Sequence, residues 1–210
     1  NQLRSSSVAS MCRNEDKLLI TDSNDHKTLK TLYEKMGDGA CELRQFEKAL
    51  DYYKKMLESA EKAGLAGSDL GTCYYSLAET YKDNNQFEEA VIYFEQELEL
   101  CRSLKDSLNT LSKIADTKEA ADAPASEVEA VYDRAIKLSQ MESNAHEEGL
   151  MLKRFIRYLR RQNQHSRAFQ CEQELAKLNF HSSDSEGESS ENQAGSVVGA
   201  EIDLDAITGT

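Results

Sequence analysis

One string of residues recurs in this chain of 210 residues. Residues 45–53 read QFEKALDYY and return at residues 86–94 as QFEEAVIYF, displaced by 41 positions. An internal repeat of this period, without a β-strand pattern, predicts a stacked array of helical hairpins. Such arrays expose long concave surfaces that bind other macromolecules. The repeat therefore favours an interaction protein over an enzyme.

Helical periodicity is clear from Thr28 onward. Apolar residues recur at spacings of three and four as far as Ala40, and a polar turn at residues 42–45 separates this helix from a second one, which runs from Phe46 to Ala60. The pattern returns three more times, over residues 74–101, 111–138 and 150–178, with Pro124 in a connector where its missing N–H costs nothing.

These patterns divide the chain into three segments. Residues 1–27 are polar and only weakly helical, residues 28–180 carry the helical repeats, and residues 181–210 are rich in Ser, Glu and Gly with few bulky side chains. A composition of the last kind cannot bury enough apolar surface to fold. We predict an all-α helical-hairpin solenoid followed by a disordered acidic tail.

Small and aromatic residues fall at fixed places in the hairpins. Small residues occupy one position of the first helices (Gly37, Ala78) and of the second (Ala49, Ala90), and aromatic residues open the second helices (Phe46, Phe87) and recur later in them (Tyr53, Phe94, Tyr132). This arrangement resembles the tetratricopeptide repeat. The period of 41 exceeds that family's usual value of about 34, which predicts longer helices or longer connectors.

The charge balance indicates which partners the chain can bind. The formal net charge is −13, and the segment from Ser182 to Thr210 has seven acidic residues and no basic one, so the remainder carries −6. General nucleic-acid binding relies on basic patches that face phosphates, and this balance argues against it. Acidity favours basic protein partners. No apolar stretch approaches the roughly 20 residues that cross a membrane, and no signal-peptide pattern is present.

No motif for catalysis, a cofactor or a metal is found. The chain lacks a phosphate-binding glycine loop and a G-x-S-x-G motif, and His146 begins only half of an HExxH motif because Leu150 stands where the second histidine belongs. The five cysteines are scattered, odd in number and without a CxxC pair, which predicts buried free thiols in a reducing intracellular compartment: Cys12, Cys41, Cys73, Cys101 and Cys171.

The resemblance to tetratricopeptide arrays implies an inner groove lined by the first helices. Half of the fourteen positions that it assigns to the groove are carboxylates: Thr31, Glu34, Asp38, Cys41 and Glu42, then Thr72, Tyr75, Glu79, Lys82 and Asp83, then Asn109, Ser112, Asp116 and Glu119. The Lys/Arg/Asn clamp of the chaperone-binding members is absent. An acidic groove suits a Lys/Arg-rich peptide. The alternative is that these side chains only solubilise an exposed helix face.

One basic cluster lies in residues 153–161. Phe155, Ile156 and Leu159 are predicted to face the core, while Arg154, Arg157 and Arg161 share another side. This side is a solvated face, a phosphate contact or a docking site for the acidic tail. Ser183 and Ser185 each precede an acid by three residues, so acid-directed phosphorylation is expected to strengthen such docking.

Residues 30–140 resemble a more specific family. The run from Glu34 to Asp38, the QFEKA string, the segment 93–100 (YFEQELEL) and the acidic stretch after the last helix look like the Tonsoku-like family. The resemblance implies a nuclear scaffold that acts with a large partner subunit at stalled replication forks, contacts histones H3–H4 and their chaperones, and promotes recombination repair. The alternative class is a cytoplasmic signalling or transport adaptor, such as the polarity and kinesin light-chain arrays.

Overall fold

The computed structural model describes residues 26–178, and within this range every element of regular structure is an α-helix. The all-α prediction is confirmed, and the first helix begins two residues before Thr28. The predicted segments 1–27 and 181–210 lie outside the described residues, apart from residues 26 and 27. The helices are α1 His26–Glu42, α2 Phe46–Lys62, α3 Ser68–Asp83, α4 Phe87–Leu100, α5 Leu104–Ala120, α6 Ala125–Met141, α7 Ala145–Arg161 and α8 His165–Lys177.

Consecutive helices pack as four antiparallel hairpins joined by tight turns. Each hairpin turn contains a non-glycine residue with positive φ: Arg44, Asn85, Asp122 and Asn163. The residue after it turns its N–H back to the preceding helix, as in the 2.9 Å bond from Gln45 to the carbonyl of Ala40, which satisfies a free carbonyl at the helix end. The long period arises mainly from long helices, since α1 and α2 have 17 residues each.

The helices of a hairpin approach closely because one of them carries a small residue at the crossing. Ala49, Ala78 and Ala90 are fully buried. At Gly37 an added Cβ would lie 2.7 Å from Cδ1 and Cζ of the Tyr53 ring, well inside van der Waals contact. Tyr53 in turn donates a 2.6 Å hydrogen bond from its hydroxyl to Asp38. Sequence periodicity placed these small residues correctly.

The carboxylate of Glu97 on α4 is partly buried where α4 packs against α5. Oε2 of Glu97 is buried and has no hydrogen-bond partner among the described residues. Burial raises the pKa of Glu97 to about 7, although Thr110 and Lys113 act in the opposite direction. An ionised carboxylate that is desolvated in this way destabilises the fold.

Within residues 26–178, no helix combines the length and the apolar character that a membrane span requires.

We predict that Gly37→Ala lowers the free energy of unfolding by ~1–3 kcal/mol, because the added methyl group overlaps the Tyr53 ring. Gly71→Ala is the matched control, since nothing lies within 4 Å of an added Cβ there, and it should stabilise the helix by about 0.5–1 kcal/mol. Urea denaturation of both variants measures the difference. Equal effects at the two positions would contradict the close crossing.

Glu97 gives a pH prediction. Its folded pKa of about 7 exceeds the ordinary value of 4.5, so the folded state binds more protons than the unfolded state between these values. Ionisation of Glu97 therefore lowers the free energy of unfolding. This penalty decreases as the pH falls from about 7 and is absent below about 4.5. Glu97→Gln should raise the free energy of unfolding at about pH 8 by on the order of 1–3 kcal/mol, with a smaller gain at about pH 5.

The matched control for that prediction is the same change at Glu99, which is exposed on the same helix. Thermal and urea unfolding across this pH range supply the measurement. If the profiles of the wild type and Glu97→Gln run parallel, the carboxylate is not desolvated.

Candidate functional site

The first helices of successive hairpins lie side by side. Sγ of Cys41 on α1 lies 3.5 Å from Oγ1 of Thr80 on α3, and Ser112 on α5 lies 3.8 Å from Sδ of Met151 on α7. These contacts place the groove residues of the four hairpins along one surface. Ser112 is buried in that contact, so its prediction as a groove-lining residue is wrong.

Ion pairs connect these first helices across the groove surface. Glu79 pairs with Lys113 on the next first helix and also with Lys82, at 2.7 Å. Asp116 pairs with Arg154 at 2.9 Å and Glu119 pairs with Arg161 at 2.9 Å. Two acidic groove residues of the third hairpin, Asp116 and Glu119, are thus paired with two members of the predicted basic patch, Arg154 and Arg161, on the fourth hairpin.

The electrostatics of Glu79 follow from these contacts. Partial burial opposes its ionisation, but the hydrogen bonds from Lys113 and Lys82 outweigh burial and hold the pKa below its ordinary value. Burial likewise opposes the charge on Lys113, and Glu79 and Tyr75 outweigh that effect and raise its pKa. The ammonium of Lys113 also lies 4.9 Å from the centre of the Tyr75 ring. The charges of Glu79 and Lys113 are thus both engaged in contacts within the protein.

The second helices are connected in the same sense. Glu95 on α4 pairs with Arg134 on α6 at 2.9 Å, and Arg167 on α8 pairs with Asp133 at 3.0 Å and with Glu129. In each of these pairs between hairpins, and in those of the first helices, the acid belongs to the earlier hairpin and the base to the later one. The ion pairs between the described hairpins therefore all have the same orientation along the array.

Three predicted groove carboxylates have no cationic partner among residues 26–178. Asp38 accepts the hydrogen bond from Tyr53, while Glu42 and Asp83 are exposed at the last positions of α1 and α3. Glu34 differs, because Lys30 lies 2.9 Å away on the same helix. The C-terminal end of a helix carries partial negative charge from its free carbonyls. The adjacent ends of α1 and α3 thus form a surface suited to a cation.

The formal charge is unevenly distributed between the two halves of the array. Residues 26–103 contain 15 acidic and 10 basic residues, for a net charge of −5, whereas residues 104–178 contain 12 of each. The uncommitted carboxylates and the excess acidity coincide in the first two hairpins.

The basic cluster has the predicted orientation. Phe155, Ile156 and Leu159 are buried. Arg154 and Arg161 are occupied by the ion pairs described above, whereas Arg157 is exposed and has no hydrogen bond or ion pair to another described residue. The candidate phosphorylation sites Ser183 and Ser185 lie outside the described residues.

No other chemical site emerges among residues 26–178. The four cysteines in this range are free thiols, buried at Cys73 and Cys171 and half-buried at Cys41 and Cys101, and no cluster of potential metal ligands occurs there. Two surface depressions, of about 430 and 330 Å³, are lined mainly by second-helix residues and by none of the predicted groove residues.

Periodicity missed the residues that decide the site. Lys113 neutralises Glu79, and Tyr53 holds Asp38, yet neither was identified as a partner from the sequence. A sequence signal exists: Lys113 and Arg154 each stand three residues before Asp116 and Arg157, the residues that lie six positions before the positive-φ residue of their own hairpin turn. Its meaning depends on the stacking offset between hairpins, which the sequence does not state.

Comparisons with known proteins agree with this architecture. The tetratricopeptide repeat family model matches residues 28–103. Tonsoku-like protein of Drosophila melanogaster is 43% identical over 131 residues, which is 62% of this chain and 9% of that protein. Tonsoku-like protein of Danio rerio is 36% identical over 81 residues, 39% of this chain and 6% of that protein. The chain thus spans less than a tenth of these relatives.

Solved structures share the fold at low sequence identity. A putative kinesin light chain with nearly identical TPR-like repeats from Podosopora anserina superposes with a TM-score of 0.64 at 13% identity, covering 85% of this chain and 86% of that one. BtubC (BKLC) from P. vanneervenii gives a TM-score of 0.57 at 15% identity, covering 86% and 74%. These structures bear on the fold alone. Together with the sequence relatives, they show helical hairpins of the tetratricopeptide type whose sequence is similar to a part of the Tonsoku-like proteins.

Proposed function

We propose that this chain is part of a nuclear genome-maintenance adaptor, a non-enzymatic scaffold that acts in replication-fork repair by homologous recombination and in the handling of histones H3–H4. The similarity to Tonsoku-like proteins supports this proposal, as does the tetratricopeptide fold, whose general role is protein binding. Its partners are basic proteins, histones or their chaperones, together with a large scaffold subunit. A cytoplasmic signalling or transport adaptor is less favoured, because the kinesin light-chain likeness is one of fold alone.

The observation that carries the binding proposal is the set of carboxylates left without a cation. Asp38, Glu42 and Asp83 lie at the adjacent ends of α1 and α3, in the half of the array that carries a net charge of −5. Carboxylates that already pair with a cation on the next hairpin, such as Glu79 and Asp116, would have to give up this internal partner before they bound an external one. A Lys/Arg-rich segment is therefore directed to the first two hairpins.

Tyr75 provides an aromatic neighbour for that segment. It is partly exposed on α3, with its ring beneath Lys113 and in edge contact with Phe94, at 6.5 Å between centroids. Exposed ion pairs contribute only ~0.2–1 kcal/mol each. Several such contacts must act together, and the affinity should fall as salt screens them.

We predict that the triple variant Asp38→Asn, Glu42→Lys, Asp83→Lys weakens binding of histones H3–H4 and of a Lys/Arg-rich peptide by about tenfold or more at low salt. Asn at position 38 retains an acceptor for the Tyr53 hydroxyl. The control is Asp51→Asn, Glu61→Lys, Glu99→Lys, which makes the same total charge change at exposed second-helix positions.

Calorimetry on the full chain gives both affinities, and circular dichroism verifies equal helicity. The acidic segment after Phe180 is unchanged in both variants, so any binding to it cancels in the comparison. Equal losses in the two variants would mean that only bulk charge is sensed, and an unchanged affinity in the triple variant would exclude the ends of α1 and α3 as the site.

A further inference from the structure

The second helix of the second hairpin is shorter than its neighbours. Helix α4 has 14 residues, whereas α2 and α6 have 17 each. The cause is local, because Ser103 caps α5: its hydroxyl oxygen accepts the N–H of Asp106 at 3.1 Å, and the hydroxyl donates to the Asp106 carboxylate at 2.6 Å. Beyond the Glu95–Arg134 ion pair, α4 continues only through residues 96–100 while α6 continues through residues 135–141. The last turn of α6 is therefore left uncovered by α4.

A depression of about 330 Å³ lies at this end of α6, and we call it the α6 depression. Its apolar lining comes from three helices: Leu98 on α4, Leu111 on α5, and Leu138 and Met141 on α6. Leu111 is buried, whereas Met141 is 73% exposed. Binding sites are concave and mostly apolar with a few polar groups, and an exposed methionine adapts readily to the shape of a partner.

Four of the lining residues form one stripe on α6. Arg134, Lys137, Leu138 and Met141 stand at positions i, i+3, i+4 and i+7, so they share one face of the helix. The stripe begins with two cations and ends with two apolar side chains. A helix that lies along it would match this order with carboxylates followed by apolar side chains.

The α6 depression is cationic although the whole chain is acidic. No carboxylate is among the described residues that line it. Arg134 is already paired with Glu95 at 2.9 Å, but Lys137 is exposed and has no ion pair or hydrogen bond to another residue in the range 26–178. An apolar hollow beside an unpaired ammonium group suits an apolar side chain that is accompanied by a carboxylate.

The second depression, of about 430 Å³, adjoins the first because Lys137 lines both. Its lining includes Gln170 and Glu174 on α8, so it suits a polar stretch rather than further carboxylates. The two depressions together extend from α4 across α6 to α8. A surface of this extent fits a segment of a protein better than a small molecule that would fill one depression.

We propose that the α6 stripe and its depression bind a helical segment of a partner protein that carries both leucine-type side chains and carboxylates. One apolar side chain enters the depression between Leu98, Leu111 and Met141, and a carboxylate about one helical turn away faces Lys137. None of the predicted groove residues lines the α6 depression. This acidic partner is therefore distinct from the basic partner proposed above, and the array can hold both.

Methyl NMR on the full chain with labelled methionine tests the contact. The chain has five methionines, and Met141→Leu assigns the resonance of Met141. The probe is a synthetic helical peptide with leucines at every third or fourth position, glutamates between them and one tryptophan. We expect it to shift the Met141 methyl resonance. Matched peptides with serine for leucine, or with lysine for glutamate, should shift this resonance several-fold less.

Peptide affinity is measured by tryptophan fluorescence anisotropy, since the chain contains no tryptophan. Lys137→Glu and Met141→Gln should each weaken binding several-fold. The matched controls are Lys48→Glu and Ile92→Gln, which make the same changes at exposed second-helix positions that line neither depression. All four positions are exposed, so circular dichroism should show unchanged helicity.

Three results would each overturn the proposal. The first is a Met141 resonance that the acidic peptide does not shift. The second is an equal loss of affinity in Lys137→Glu and Lys48→Glu. The third is a Met141 resonance that moves with protein concentration when no peptide is present, because a second copy of the chain would then cover the surface. The acidic probe does not test the groove, so failure here leaves the function proposed above unaffected.

Discussion

The close crossing of the two helices within each hairpin is the constraint on which the rest of the array depends. Gly37 leaves room for the Tyr53 ring, and Ala78, Ala49 and Ala90 are buried at corresponding places. Because the helices can approach there, long apolar faces come into contact and their burial supplies the main stabilisation. The same crossing fixes the hydroxyl of Tyr53 against Asp38, which links the core to the groove surface.

Ion pairs at the surface also connect neighbouring hairpins. Each ion pair between hairpins described above takes its acid from the earlier hairpin and its base from the later one, as in Glu79–Lys113 and Asp116–Arg154. Individual exposed pairs contribute little. Their common direction matters more, because it opposes stacking in the wrong order.

This distribution changes how the acidity of the chain is understood. A groove lined by seven carboxylates would attract any polycation along its whole length. Because Glu34, Glu79, Asp116 and Glu119 are paired, only Asp38, Glu42 and Asp83 of these seven have no cationic partner among residues 26–178. In the function proposed above, binding depends on the geometry of two adjacent helix ends rather than on net charge, and such geometry can discriminate between basic partners.

The sequence by itself determined the fold class, the hairpin turns and the small residues at the crossings, because period, apolar spacing and turn chemistry are local properties of the chain. It also determined which side chains face the core, as at Phe155 and Leu159. Only the tertiary structure decided which groove carboxylates are free. Whether Asp116 meets Arg154 depends on the offset between stacked hairpins, a relation over 38 residues. No local pattern encodes that offset, because it is set by how the buried surfaces of neighbouring hairpins fit together.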